Sequence, residues 1–300
     1  GINLNTSLEL TAESVKGKFI YAKPNFNYTD NTLFTSVKSS TSDFLTDSGY
    51  KTSEIGFSLG TTFEQFQNIF LSPEIDFLLE DLETSNKASS ALKKQEGSYT
   101  DLYFNYSINQ DLRDKRFRTE SGYVTTFSQE LPLVSDNSEL SNAFVITNYK
   151  KLSSKSDMIG KVSFFGKTIT GLSDDVRISK RLNVPASRLR GFQRGKVGPV
   201  ENSDYIGGNY VSSLNFSATL PNLVQGLDNL DVGVFVDAAN VWGVDYDSSI
   251  DDKSKLRSST GVALNLMTPI GPLSFSFANA LTKASSDKTE TFRFNLGTQF

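Results

Sequence analysis

Along most of this chain, apolar and polar residues alternate with a period of two. In residues 213–220, 262–267 and 272–281, one set of alternate positions is mostly Leu, Phe or Val and the other is mostly Ser, Thr, Asn or Ala. Successive side chains of a β-strand point to opposite faces, so this pattern predicts strands with one apolar face. The polar face lacks the Lys and Glu mixture of a solvated sheet. This favours strands that cross a membrane, apolar toward lipid and polar toward a lumen, although a soluble β-sandwich also alternates.

The segments between turn signals are long enough to cross a bilayer as tilted strands, each of which needs about 9 to 11 residues. We count about fourteen of them: 2–13, 16–26, 32–44, 51–63, 67–82, 98–110, 122–133, 139–152, 157–172, 206–221, 230–242, 256–268, 272–282 and 289–300. Short turns (29–31, 64–66, 269–271) alternate with longer polar loops (83–97, 173–205, 243–255). The sequence therefore predicts an all-β fold, a transmembrane antiparallel β-barrel in which residues 1–300 form a single domain.

The composition excludes several classes of function. The net charge of −4 gives no reason to expect nucleic-acid binding. Histidine and cysteine are both absent, which excludes Ser-His-Asp and Cys-His catalysis, disulfides and the usual zinc sites. No paired-carboxylate motif and no phosphate-binding loop stands out. We therefore expect that the protein is not an enzyme and uses no cofactor and no metal ion.

One long loop, residues 173–205, is basic and contains the sequence Arg190-Gly191-Phe192. A guanidinium is costly to bury unless a carboxylate accepts its hydrogen bonds. Because Arg190 is followed by the conformationally permissive Gly191 and the apolar Phe192, the loop tip is expected to dock on the rest of the protein. A solvated basic loop is the alternative.

The last segment places four apolar residues on one face: Phe292, Phe294, Leu296 and Phe300. A terminal aromatic ring in register with an apolar stripe suits the interface between membrane and water. Together with Gly297 these residues resemble the C-terminal sorting signal of bacterial outer-membrane proteins. The alternative is the edge strand of a soluble sandwich, in which an unprotected apolar edge would favour aggregation.

Five motifs follow one another between residues 187 and 300. They are Arg190-Gly191-Phe192 with Val197-Gly198-Pro199, Ile206-Gly207-Gly208-Asn209, Val234-Phe235-Val236-Asp237 with Val241-Trp242, Thr268-Pro269-Ile270-Gly271-Pro272-Leu273, and the terminal Phe-x-Phe-x-x-Gly-x-x-Phe. In this order they resemble the barrel of the BamA-type outer-membrane protein assembly factors, in the superfamily of bacterial surface antigens and POTRA-associated barrels. The motifs do not separate BamA from TamA-like or organellar relatives.

The resemblance implies that the loop folds back into the barrel and that Arg190 pairs with Asp237. The alternation in residues 230–242 agrees, because it places Asp237 on the face opposite the valines, toward the lumen. Three positions depart from the family pattern. Asn215 stands where a glutamate is frequent, Ala239 where a glycine is usual, and Arg118 where an earlier turn usually has proline.

The resemblance also implies a function in the bacterial outer membrane. Family barrels insert client barrels through a lateral seam between their first and last strands, without nucleotide hydrolysis. The implied partners are outer-membrane lipids, unfolded β-barrel clients, periplasmic chaperones and accessory lipoproteins, and no nucleic acid. Family barrels have about sixteen strands and follow POTRA domains, so we expect these domains and two strands upstream of this chain. A passive or two-partner-secretion-type pore is the alternative.

Overall fold

Fourteen antiparallel strands form one sheet in the computed structural model, which describes residues 1–116, 118–153, 157–221, 223, 229–268 and 271–296. The strands, with the short hairpin β10–β11, are β1 (Asn3–Leu10), β2 (Ser14–Lys23), β3 (Thr32–Phe44), β4 (Tyr50–Phe66), β5 (Ile69–Thr84), β6 (Gly97–Asp111), β7 (Ser121–Ser135), β8 (Glu139–Lys151), β9 (Ile159–Gly171), β10 (Val200–Glu201), β11 (Asp204–Tyr205), β12 (Tyr210–Pro221), β13 (Leu230–Trp242), β14 (Arg257–Thr268), β15 (Gly271–Thr282) and β16 (Phe292–Leu296). Each strand of the large sheet pairs with the next in chain order, and β9 pairs with β12 across the long loop. The predicted all-β antiparallel fold is confirmed.

This sheet exposes apolar side chains and buries polar ones. In β13, Val234 and Val236 are 55% and 44% exposed, whereas Asp237 is fully buried. The same inversion recurs along other strands, with exposed Ile55, Phe57, Leu59, Val162, Phe164 and Phe277, and with buried Ser36, Ser58, Ser163, Ser213, Ser259 and Ser276. A soluble protein has the opposite distribution. An outward apolar face is stable when lipid, not water, surrounds the sheet.

The loop between β9 and β12 lies inside the curled sheet. Its residue Arg177 contacts β5, β6 and β8, while Arg190 contacts β13 on the other side. Arg194 reaches Glu9 of β1 at 3.4 Å. One loop can touch walls so far apart in the strand order only if the sheet wraps around it, as in a barrel. Among the described residues, β1 and β16 are the two edges of this sheet.

Some predicted boundaries are wrong. Residues 206–209 are not part of β12, because Gly208 exchanges two backbone hydrogen bonds, of 2.7 and 2.9 Å, with Leu182 of the loop. Residues 64–66 lie in β4, and the turn follows at 67–68, where Asn68 has a φ of 60°. Residues 289–291 precede β16.

Short elements between strands were not predicted. They are the hairpin β10–β11, the helix α1 (Ser90–Lys93) and three-residue 3-10 turns at Phe26–Tyr28, Ile178–Lys180 and Ala186–Arg188. No helix in the described ranges is long and apolar enough to span a bilayer.

Candidate functional site

The loop inside the barrel brings its own hydrophobic core. Val176, Leu182, Val184, Leu189, Phe192 and Val197 of the loop pack with Ile169, Val211, Ala239 and Val241 of the strand walls. Phe192 is only 1% exposed. Burying apolar surface in this way stabilises the docked loop, because each large apolar side chain contributes about 1.5 to 3 kcal/mol.

The arginine of the loop tip forms a bidentate ion pair with Asp237. The Nε and Nη2 atoms of Arg190 donate to the two carboxylate oxygens at 2.7 and 2.8 Å, and the backbone N–H of Arg190 donates at 3.1 Å. The guanidinium also lies over the ring of Phe235, 3.4 Å from its centroid. Parallel N–H donors matched to a carboxylate make a strong, directional contact.

Asn215 completes the hydrogen bonding of Asp237. Its side-chain amide donates to Asp237 Oδ1 at 2.9 Å and to the backbone oxygen of Arg188 at 2.7 Å. The departure from the family glutamate therefore replaces a third charge with a neutral donor. A neutral donor satisfies the buried carboxylate without adding a like charge beside it.

Two glycines are required where the loop meets the wall. Gly191 has a φ of 87°, and a Cβ there would approach the Cβ of Ala278 to 3.0 Å. Gly198 has a φ of 118°, and its Cβ would meet Val241 Cγ1 at 2.6 Å. A side chain at either position would face both backbone strain and a clash.

The other motif glycines and the proline lie around the hairpin β10–β11. The oxygen of Pro199 accepts a hydrogen bond from Ile206 N–H at 3.2 Å. Gly207 and Gly208 pass close to the backbones of Leu182 and Trp242. These residues shape the return of the loop to β12.

A second arginine, Arg177, holds the start of the loop and was missed in the sequence. It is fully buried and donates to Glu80 at 3.2 Å, to Asp101 at 2.6 Å and to Glu139 at 3.0 Å. Its guanidinium also lies over the ring of Tyr99, 4.4 Å from the centroid. Burial alone would lower the pKa of Arg177, but hydrogen bonds from its guanidinium to the carboxylates and their charges outweigh it and raise the pKa.

The loop between β13 and β14 also contacts the start of the lumenal loop. Arg181 pairs with Asp245 and donates to Asn209 at 2.9 Å, and Val176 N–H donates to Asp245 at 3.0 Å. Burial would raise the pKa of Asp245, but the charge of Arg181 and these hydrogen bonds lower it. Asp245, in the loop between β13 and β14, thus clamps the lumenal loop where it leaves β9.

The terminal strand presents its apolar residues outward. Phe292, Phe294 and Leu296 are 49%, 49% and 58% exposed, and the two rings pack on Phe275 and Phe277 of β15. Arg293 faces inward. Gly297 and Phe300, the remaining residues of the predicted C-terminal signal, lie outside the described residues.

Comparison with known families identifies the fold. The Omp85 superfamily domain matches residues 1–300. The chain belongs to the Omp85 superfamily. Its barrel fold and outward apolar face make it an outer-membrane β-barrel protein.

Similar proteins are known from sequence and from structure. The outer membrane protein assembly factors BamA of Neisseria meningitidis serogroup B and Neorickettsia risticii are 30% identical over 141 residues and 24% identical over 217 residues. These alignments cover 37% and 71% of this chain but only 17% and 29% of the relatives, so the chain spans less than a third of either. The structure of BamA from Haemophilus ducreyi lacking POTRA domains 1–3 superposes with a TM-score of 0.81 at 21% identity, over 98% of this chain and 64% of that one.

Proposed function

We propose that this chain is the barrel of an outer-membrane protein assembly factor, which folds client barrels into the membrane without nucleotide hydrolysis. The observation that carries the proposal is the docking of Arg190 on Asp237 inside an Omp85 barrel. The docked loop acts as a structural latch and not as a catalytic group. The assembly function of the two BamA relatives supports this assignment.

The proposed client-binding edge is the terminal strand β16. It pairs with β15 on one side, and it is an edge of the sheet among the described residues. An unpaired strand edge offers N–H and C=O groups that hydrocarbon cannot satisfy. A client strand entering the seam would satisfy them, which lowers the free energy of inserting that strand.

The proposed partners follow from this activity. The exposed apolar faces of the strands bind outer-membrane lipids, and the edge receives unfolded β-barrel clients. Periplasmic chaperones and accessory lipoproteins would deliver the clients. Residues 1–300 would act in this process as one barrel unit.

The lumen argues against a steadily conducting pore. Loop residues pack against the walls from Arg177 on one side to Arg190 on the other, with the apolar core between them. A passive or two-partner-secretion-type pore needs a continuous water path, and the docked loop occupies part of the lumen through which that path would run.

Reconstitution of the full-length protein tests the proposal. The folded fraction of a urea-denatured barrel client would be measured by heat-modifiable gel mobility, in liposomes with and without the protein. We expect faster client folding with the wild type and with the control Arg116→Ala, whose side chain is 90% exposed, and slower folding with Arg190→Ala. Folding no faster than in empty liposomes would contradict the proposal. Large, steady conductance without client folding would instead establish the pore.

A further inference from the structure

The segment before the terminal strand pairs with the loop tip instead of with β15. The β15–β16 register covers Leu273 to Phe277, and one more hydrogen bond joins Ala278 N–H to Thr291 at 2.8 Å. β15 itself continues to Thr282. Residues 279–282 of β15 are therefore not paired with β16 in the described structure.

Residues 288–290 form their backbone contacts with the loop tip. Phe192 and Thr289 are paired as in an antiparallel ladder. Gln193 N–H donates to the oxygen of Lys288 at 2.9 Å, and Glu290 N–H donates to the oxygen of Gly191 at 3.0 Å. The tip thus acts as a short strand alongside the residues that lead into β16.

Arg293 joins the loop to β16 through its side chain. The guanidinium is 10% exposed, faces the lumen and donates to the backbone oxygens of Ala186 and Phe192. Its Nε also donates to Glu290 at 2.6 Å, which fixes the side chain. A fork of charged donors holds two loop carbonyls at once, which a single ammonium group cannot do as well.

A second pairing is available to the same three residues. The observed pair Phe277 with Phe292, continued by the antiparallel rule, would place Glu290, Thr289 and Lys288 opposite Asn279, Ala280 and Leu281 of β15. The docked tip lies over the lumenal face of β15, where a Cβ on Gly191 would approach the Cβ of Ala278 to 3.0 Å. Residues 288–290 must therefore leave this tip in order to join the edge of β15.

We propose that Arg293 is a positioning residue that couples the loop tip to the terminal strand. While the tip is docked on Asp237, residues 288–290 are held in the lumen and β16 is short. When the tip leaves, these residues pair with β15 and lengthen the terminal strand. The consequence for clients rests on the proposed function, in which β16 is the client-binding edge.

Two cysteine pairs in the full-length protein distinguish the two pairings. Residues 1–300 contain no cysteine, and any cysteine elsewhere in the full-length protein would first be replaced by serine. Gln193→Cys with Lys288→Cys detects the docked pairing, and Ala280→Cys with Thr289→Cys detects the extended one. A short, reductant-cleavable methanethiosulfonate cross-linker would be applied to outer membranes. The wild-type background should give mainly the first cross-link.

Removal of the guanidinium should reverse this preference. Losing two charge-assisted hydrogen bonds should lower the docked cross-link relative to the extended one by about tenfold in Arg293→Ala. Arg293→Lys should lie between, because one ammonium can still donate to a carbonyl, and Arg116→Ala should match the wild type. An unchanged ratio in both Arg293 variants would overturn the coupling.

The cross-link of the docked pairing also tests whether this coupling affects client assembly. Locking Gln193→Cys to Lys288→Cys should lower the rate of client folding, and the reductant should restore it. Normal folding by the locked protein would overturn the coupling. If the uncross-linked protein folds no client at all, the proposed function fails, whereas the cross-link ratio still decides whether Arg293 positions the strand.

Discussion

The start and the tip of the lumenal loop (residues 173–205) are each held by an arginine, but in different ways. Arg177 at the start has three carboxylate partners on β5, β6 and β8 and is completely buried. Arg190 at the tip has one carboxylate, Asp237, and its side chain is 21% exposed. Because Arg177 has three carboxylate partners to leave and Arg190 has one, we expect the tip to move more readily than the start, which we call the fixed end.

The fixed end should show the largest effect of mutation. Arg177→Ala leaves three buried carboxylates without their common partner, and breaking a buried ion pair costs about 3 to 5 kcal/mol. We expect a loss of this size in the free energy of unfolding, measured by urea titration in liposomes. The control Arg116→Ala, on an exposed side chain, should change it by less than about 0.5 kcal/mol. An effect of Arg177→Ala as small as that of Arg116→Ala would contradict the assignment of Arg177 as the fixed end of the loop.

The neutral partner at the tip should have a smaller effect. Asn215→Ala removes one hydrogen bond to Asp237 and one to the oxygen of Arg188, but leaves the bidentate arginine in place. The expected loss is about 1 to 2 kcal/mol in the same titration. A loss as large as that of Arg177→Ala would mean that Asn215, and not Arg190, holds Asp237.

The smallest expected effect is the contribution of Asp245 to the pH dependence of stability. The pKa of Asp245 is lowered in the folded protein from its usual 3.8, so its stabilisation is present above that pH and is lost as the pH falls through the lowered pKa. Trp242, the single tryptophan of residues 1–300, stacks on Tyr210 next to this clamp, and its emission would report on it. Between wild type and Asp245→Asn, we expect stabilities that differ by under about 1 kcal/mol at neutral pH and converge in acid. Unfolding would be followed by the emission of Trp242. Stabilities of the two proteins that still differ below the lowered pKa of Asp245 would contradict the prediction.

The strands and the tip could be predicted from the sequence for a physical reason. Lipid on one side and a polar lumen on the other force a period-two pattern, so all fourteen strands of the sheet were recognised. The tip was recognised because Arg190, Gly191 and Phe192 are adjacent in the chain. Asp237 was assigned through the family resemblance and the side of its strand.

The fixed end could not be predicted in this way. The partners of Arg177 lie 97, 76 and 38 residues away on three strands. In β5 the buried face carries Leu78 and Leu82 as well as Glu80. Because its neighbours on that face are apolar, Glu80 does not stand out in the sequence as a lumenal partner for an arginine. The pairing of residues 288–290 was missed for a related reason, because an alternating segment gives no sign of which edge it joins.

The most direct test of the latch is a double-mutant cycle on Arg190 and Asp237. The free energy of unfolding would be measured for Arg190→Ala, Asp237→Ala and the double variant in liposomes. If the two side chains act as one ion pair, the single losses are similar, and the double variant loses about as much as either, with a coupling of about 2 to 3 kcal/mol. Losses that simply add, with no coupling, would contradict the docked latch.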